Sequence, residues 1–316
     1  MVDAIPPAIE PTRFASGAAR YGKVLQLPAR GRAIVCTDLH GNLGDFEQVV
    51  AAFRRHRGAG DGEAFLLFTG DLVHGPSYAE HRWPEHLGTF YVDRSKELLA
   101  AFFALGEEHP GRVFSLIGNH EHSHVGGPET RKFHKDPSET AYLERALGPA
   151  AARRTQLAFA DFPIACVLGT GVVATHGAPR VLDPDFARIA TVDYGGHETR
   201  SIRDMIQVPI LGELFWCRNA GPLAVRRLLR CLELGGVRNR LVVYGHDPVR
   251  KGYLREGAEQ LCFSTSFGLK DANKVYLDLD LARPYASARS LRYGQEILPL
   301  YPEAASRRRA RASSAE

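Results

Sequence analysis

Several things are scarce in this sequence. No apolar run is long enough to cross a bilayer; the longest candidate, FPIACVLGTGVVAT at 162–175, is short and interrupted by Gly and Thr. The first residues, MVDAIPPAIEPTRF, lack the basic segment followed by an apolar one that marks a secretory leader, which points to the cytoplasm and away from a membrane. Cysteine is sparse: Cys36, Cys166, Cys217, Cys231 and Cys262 are scattered, odd in number and never spaced as CxxC. That excludes a disulfide framework and a zinc ribbon, and leaves small buried hydrophobes in a reducing compartment. The body of the chain also has little excess charge. The net charge is +4, but the closing SRRRARASSAE, with four Arg against one Glu, carries three of those charges. A specific nucleic-acid groove is therefore not indicated.

The 316 residues, 44% hydrophobic and 24% charged, suffice to bury a sizeable core. Residues 1–27 are Pro- and Ala-rich without periodicity and read as a surface arm. Residues 28–302 read as one domain, since no clear linker divides them, and 303–316 as a basic disordered tail.

Within the domain, apolar runs alternate with helical patterns. RAIVCT (32–37), AFLLFT (64–69) and RVFSLI (112–117) read as buried strands. Between them, Phe46, Val49, Val50 and Phe53 fall on one helical face, and RSKELLAAFFALGEE (94–108) reads as a helix capped by Asp93. Strand–helix alternation predicts an α/β domain with a largely parallel sheet. FPIACVL and GVVATHG read as a hairpin or as adjacent strands, 221–234 as a helix, and 240–246, 260–266 and 274–281 as further strands. The segment between Val73 and Tyr91 is polar, aromatic and longer than an ordinary βα loop, the length expected of a substrate rim. A second irregular stretch covers 122–137.

Side chains able to hold a metal follow five of these strands: Asp38 and His40 in DLHGN, Asp71 in GDLV, Asn119 and His120 in GNHE, His176 in THG, and His246 in YGH. Ligands bind outside the carboxyl ends of strands in open α/β sheets, so five strand ends would meet at one crevice. Each match is weak alone; the ordered set, with Gly beside each, is not. Carboxylate, imidazole and amide donors together suit borderline cations such as Mn2+, Fe or Zn2+.

These blocks resemble those of the calcineurin-like metallophosphoesterases, most closely the Ser/Thr phosphoprotein phosphatase branch, over roughly residues 30–281. The resemblance implies a four-layer αββα sandwich of two mixed sheets flanked by helices. It implies two divalent metal ions, with Mn2+ the first expectation and Fe or Zn2+ the alternatives. One would be held by Asp38, His40 and Asp71, the other by Asp71, Asn119, His176 and His246. A hydroxide bridging the metals would attack a phosphoric ester while His120 protonates the leaving oxygen, with Glu121 as structural support.

The departures from that pattern are specific. The family's VDRG is here VHGP, so His74 stands where an Asp would orient the catalytic His, and Gly75 where an Arg would grip phosphate. A second expected Arg is Ser123. Arg218, Arg94 and His74 are the candidates for substrate contact, Asp93 and Arg94 as possible remnants of the displaced motif. His122 and His124 read as rim residues. The expected activity is metal-dependent hydrolysis of a phosphorylated substrate, as a Ser/Thr phosphoprotein phosphatase-like enzyme. Alternatives are a nucleotide or dinucleoside-polyphosphate hydrolase and, because the arginines are missing, a weakly catalytic metal-binding scaffold.

Overall fold

The computed structural model describes residues 9–58 and 62–313. Its strands are β1 (Thr12–Arg13), β2 (Ala19–Tyr21), β3 (Val24–Gln26), β4 (Arg32–Cys36), β5 (Ala64–Phe68), β6 (Val113–Ser115), β7 (Ala165–Leu168), β8 (Val172–Thr175), β9 (Leu241–Tyr244), β10 (Tyr253–Arg255), β11 (Gln260–Phe263), β12 (Val275–Asp280) and β13 (Ile297–Pro299). They form a five-stranded sheet in the order β13-β12-β4-β5-β6 and an eight-stranded sheet in the order β1-β2-β3-β7-β8-β9-β11-β10. Both are mixed. In the smaller sheet β4, β5 and β6 run parallel, while β12 runs antiparallel to both of its neighbours, β4 and β13. The expected hairpin is the antiparallel pair β7–β8.

Side-chain alternation along each strand builds the layers. From β4 and β5, Ala33, Val35, Phe65 and Leu67 face the second sheet, where Leu25, Cys166, Val172, Leu241, Val243 and Phe263 meet them. The intervening Ile34, Cys36, Leu66 and Phe68 face outward under helices α1 (Leu43–Gly58) and α2 (Ser95–Glu108). This is why AFLLF is apolar at every position: both faces of a central parallel strand are covered. Phe46, Val49, Val50 and Phe53 of α1 are all buried, as their spacing predicts. The five cysteines are free thiols. Among the described residues no helix is long and apolar enough to cross a membrane.

Residues 1–8 of the expected arm and 314–316 of the expected tail lie outside the described residues; the described parts of both segments hold regular structure. From Thr12 onward the expected arm forms three short strands, with β3 pairing parallel to β7. Strands of two or three residues are too short to show a period. At the other end, residues 302–313 are helical rather than a disordered tail, starting at Pro302. Ala305 is buried and Arg308 donates to Asn273 Oδ1. Just before this helix, Tyr301 donates to buried Asp45 Oδ1 at 2.7 Å, and Lys274 Nζ lies 3.0 Å from the same carboxylate. These partners join the start of α1 to β12 and the terminal helix, across sequence distances no local pattern reveals.

Candidate metal centre

The turns after β4, β5, β6, β8 and β9 converge at one edge of the sandwich. Of the seven non-glycine residues with positive φ among the described residues, five lie here: Asp38, His40, Asp71, His74 and His246. Such conformations cost roughly 1–3 kcal/mol each and persist where the surroundings enforce them, typically at functional sites. Backbones also approach closely: a Cβ on Gly245 would lie 2.0 Å from Asp38 Oδ2. In its absence the His246 N–H donates to both Asp38 oxygens at 3.0 Å, joining the ends of β4 and β9.

Hydrogen bonds at the back of the imidazoles set their orientation. His40 Nδ1 faces the Val73 and His74 carbonyls at 3.2 and 3.1 Å, and His176 Nδ1 faces the Thr69 carbonyl at 2.9 Å. A ring nitrogen facing a carbonyl must carry the proton, so both Nε2 atoms present lone pairs to the crevice. His40 Nε2 lies 3.7 Å and His176 Nε2 3.5 Å from Asp71 Oδ2. His176 Nε2 is also 2.9 Å from Asn119 Oδ1 and 3.2 Å from His246 Nδ1. Donor atoms of His40, Asp71 and His120 form one close group, and those of Asp71, His176 and His246 a second, with Asp71 common to both. Asp71 Oδ1 accepts the His120 N–H at 3.0 Å.

These residues fit divalent cations. His40 Nε2 and His246 Nε2 are buried without a hydrogen-bond partner, a state a metal ion relieves. Burial holds the imidazoles of His40 and His246 well below the usual histidine range and also lowers His176, which favours the neutral form that ligands need. Burial, with the neighbouring Asp71, pushes Asp38 up to about 7. Burial and the charge of Glu121 push Asp71 up as well. Two buried carboxylates this close call for a positive charge between them.

The cleft over this centre is about 600 Å3, lined by Asp71, Asn119, His120 and His246 below and by Thr130, Lys132, Trp216, Arg218 and Phe267 around the mouth. Arg218 lines the mouth, ion-paired with Asp247. Arg94 does not: it lines a separate cleft with Asp45 and Tyr301, its nearest acidic partner Glu97 at 3.9 Å. Asp93 comes beside Gly75 but is occupied by Ser95, whose N–H and hydroxyl it accepts at 3.0 and 2.6 Å. Gly75 cannot carry the family's Arg without rearrangement, because even a Cβ there would lie 2.4 Å from the His40 carbonyl oxygen. His74 lies behind His120, not at the mouth, with only 2% of its surface exposed. His122 and His124 are buried too, not rim residues.

The long segment after Val73 forms its own aromatic cluster, Trp83 against Tyr78, Phe90 and Tyr91, and none of residues 76–91 lines the mouth. The second irregular stretch supplies that rim. It brings in Lys132, which sequence reasoning missed. Its ammonium sits 4.1 Å from the Phe267 ring centre, in the field of Asp71, Asp38 and Glu139. A lysine in a polar loop carries no sequence signal separating it from a solvated one.

No curated protein sequence matches this chain. Among solved structures, a serine/threonine phosphatase from Saccharomyces cerevisiae, described as similar to human phosphatase PP5, superposes with a TM-score of 0.56. It is 18% identical, with 80% of this chain and 74% of that one covered. A cold-active protein-tyrosine phosphatase from a psychrophilic Shewanella gives a TM-score of 0.53 at 14% identity, covering 82% of this chain and 78% of that one. At such identities the likeness shows a shared fold. The family model for calcineurin-like phosphoesterases matches residues 31–275, and the chain belongs to that family.

Proposed function

We propose that this protein hydrolyses phosphoric monoesters at a centre of two divalent metals, and that its substrates are phosphorylated protein side chains. The observation that carries the reading is the pair of overlapping donor groups, His40–Asp71–His120 and Asp71–His176–His246, sharing Asp71 at the floor of an open cleft. Asp38, His40 and Asp71 would hold one ion, and Asp71, Asn119, His176 and His246 the other. Bound there, such a pair acidifies a water and stabilises the attacking and leaving oxygens of an in-line displacement.

The chain's own residues do the rest. Lys132 and Arg218 bring positive charge to the mouth, where they would hold phosphate oxygens in place of the absent arginines. His120 would give its proton to the departing alkoxide. Trp216, Phe267, Ile202 and Ile206 give the cleft lining apolar surface, which suits a peptide lying across it.

The test is a panel of phosphoserine, phosphothreonine and phosphotyrosine peptides, nucleotides and dinucleoside polyphosphates, assayed with Mn2+, Fe2+ or Zn2+ after chelation. Metal-dependent release of phosphate from peptides is expected. Turnover confined to nucleotides would replace the substrate reading, and two bound metals with no turnover of any ester would favour a scaffold.

A further inference from the structure

His120 has an unusual neighbour. Its Nδ1 lies 3.0 Å from His74 Nδ1. The opposite nitrogen of that ring, His74 Nε2, lies 3.0 Å from His124 Nε2, and His124 Nδ1 lies 2.8 Å from Glu144 Oε1. Three imidazoles thus run in series from the floor of the cleft to a carboxylate that is 31% exposed.

Hydrogen-bonding rules give this series one direction. Glu144 is held below the ordinary carboxylate range, first by its bond with His124, so it is an acceptor only. With one proton on each ring, His124 donates from Nδ1 and offers a lone pair at Nε2. His74 must donate to that lone pair from its own Nε2, which leaves His74 Nδ1 as an acceptor. The Thr130 hydroxyl, 3.3 Å away, can also donate to it. His120 must then donate from Nδ1. A second carboxylate favours the same arrangement: Glu139 Oε2 is buried, has no hydrogen-bond partner, and lies 3.7 Å from His120 Nδ1.

We propose that His74, His124 and Glu144 form a positioning relay: by accepting the His120 Nδ1–H they make Nε2 the nitrogen that takes up a proton and passes it to the substrate's leaving oxygen, after which the ring returns to the Nδ1–H tautomer. The proposal rests on the phosphoesterase reading for the role of His120. The relay accounts for the absence of an Asp at position 74: the carboxylate has moved to the helix Glu139–Leu147, and two imidazoles transmit its preference. None of the three is a catalytic residue in the sense of touching substrate.

Glu144→Ala removes the anchor at a partly exposed position, far from the metal ligands. The expected result is a fall in kcat of about tenfold for phenyl phosphate and less than about twofold for nitrophenyl phosphate, whose leaving group needs little protonation. KM and metal content stay unchanged. Glu144→Gln, whose amide oxygen can still accept from His124, restores most of the loss. In a His74→Asp background a carboxylate abuts His120 directly, and Glu144→Ala then has no further effect. Equal losses for both substrates, or the same tenfold loss in the His74→Asp background, would overturn the relay.

Nitrogen-15 spectra of the histidines in metal-free protein, with His120 assigned through His120→Asn, give a readout independent of turnover. They should show Nδ1–H for His120 in the wild type and a mixture of tautomers in Glu144→Ala. If no ester is hydrolysed by the wild type, the phosphoesterase reading fails and these spectra alone decide the relay. Nε2–H for His120 in the wild type overturns it. So does a third bound metal lost on Glu139→Gln, which would mean that an ion, not a proton, joins His74 and His120.

Discussion

Replacing Glu121 by Gln tests how the two central turns of the site are held together. The Glu121 side chain is fully buried and accepts three backbone N–H groups: Asp71 at 2.8 Å and Gly118 at 2.9 Å on Oε2, and Leu72 at 2.7 Å on Oε1. It therefore clamps the turn after β5 to the turn after β6. Gln has the same shape but one oxygen. Its better orientation keeps the oxygen on Asp71 and Gly118 and turns the NH2 toward the Leu72 N–H. That orphans one buried donor, at about 1–3 kcal/mol. The two surviving bonds lose their charge assistance, about 1 kcal/mol each. An opposing effect exists, since the Glu121 charge disfavours an ionised Asp71. Burial, not that charge, is the first cause of the rise at Asp71, so removing the charge returns less than the lost hydrogen bonds cost. Hydrogen bonding wins, and Glu121→Gln should destabilise the metal-free protein by about 3–5 kcal/mol. Urea unfolding in the presence of a chelator, wild type beside variant at pH 7, measures this. A loss below about 1 kcal/mol would show that the clamp is not what holds the turns.

Three further outcomes are expected. Asp71→Asn should lower occupancy at both metal positions, because both donor groups share its carboxylate; elemental analysis finding two equivalents still bound would refute the bridging role. Lys132→Met should raise KM for small phosphomonoesters by about tenfold or more, the value of one charged hydrogen bond, with a smaller change in kcat; unchanged KM would mean that the ammonium does not meet phosphate. Burial pushes the His122 imidazole down to about 4 from an ordinary 6.5. Above pH 6.5 it is neutral folded or unfolded; as pH falls toward 4 the unfolded chain takes the proton first, so stability is lost in that window, by about 3 kcal/mol. His122→Phe should flatten the slope of unfolding free energy between pH 6.5 and 4, and an identical slope would place the pH sensitivity elsewhere.

Much of this protein is written locally. The apolar runs before Asp38, Asp71, Asn119, His176 and His246 specify buried strands, and strand ends in such sheets converge, so the sequence by itself determined the α/β layering and which side chains meet at the crevice. The face of α1 and the β7–β8 hairpin were legible for the same reason: their signals repeat within a few residues. The folding of the chain alone decided what depends on contact between distant segments. His74 became a buried link rather than a substrate contact because His124 and Glu144 arrive from elements 50 and more residues away. Lys132 became a wall of the cleft, while the aromatic segment expected there packed on itself. The short strands from Thr12 and the helix from Pro302 depend on neighbours supplied by β7 and by Asn273. A periodic pattern reports which face of an element is buried; it does not report which other element covers that face, and the partners of isolated polar side chains are set by that choice.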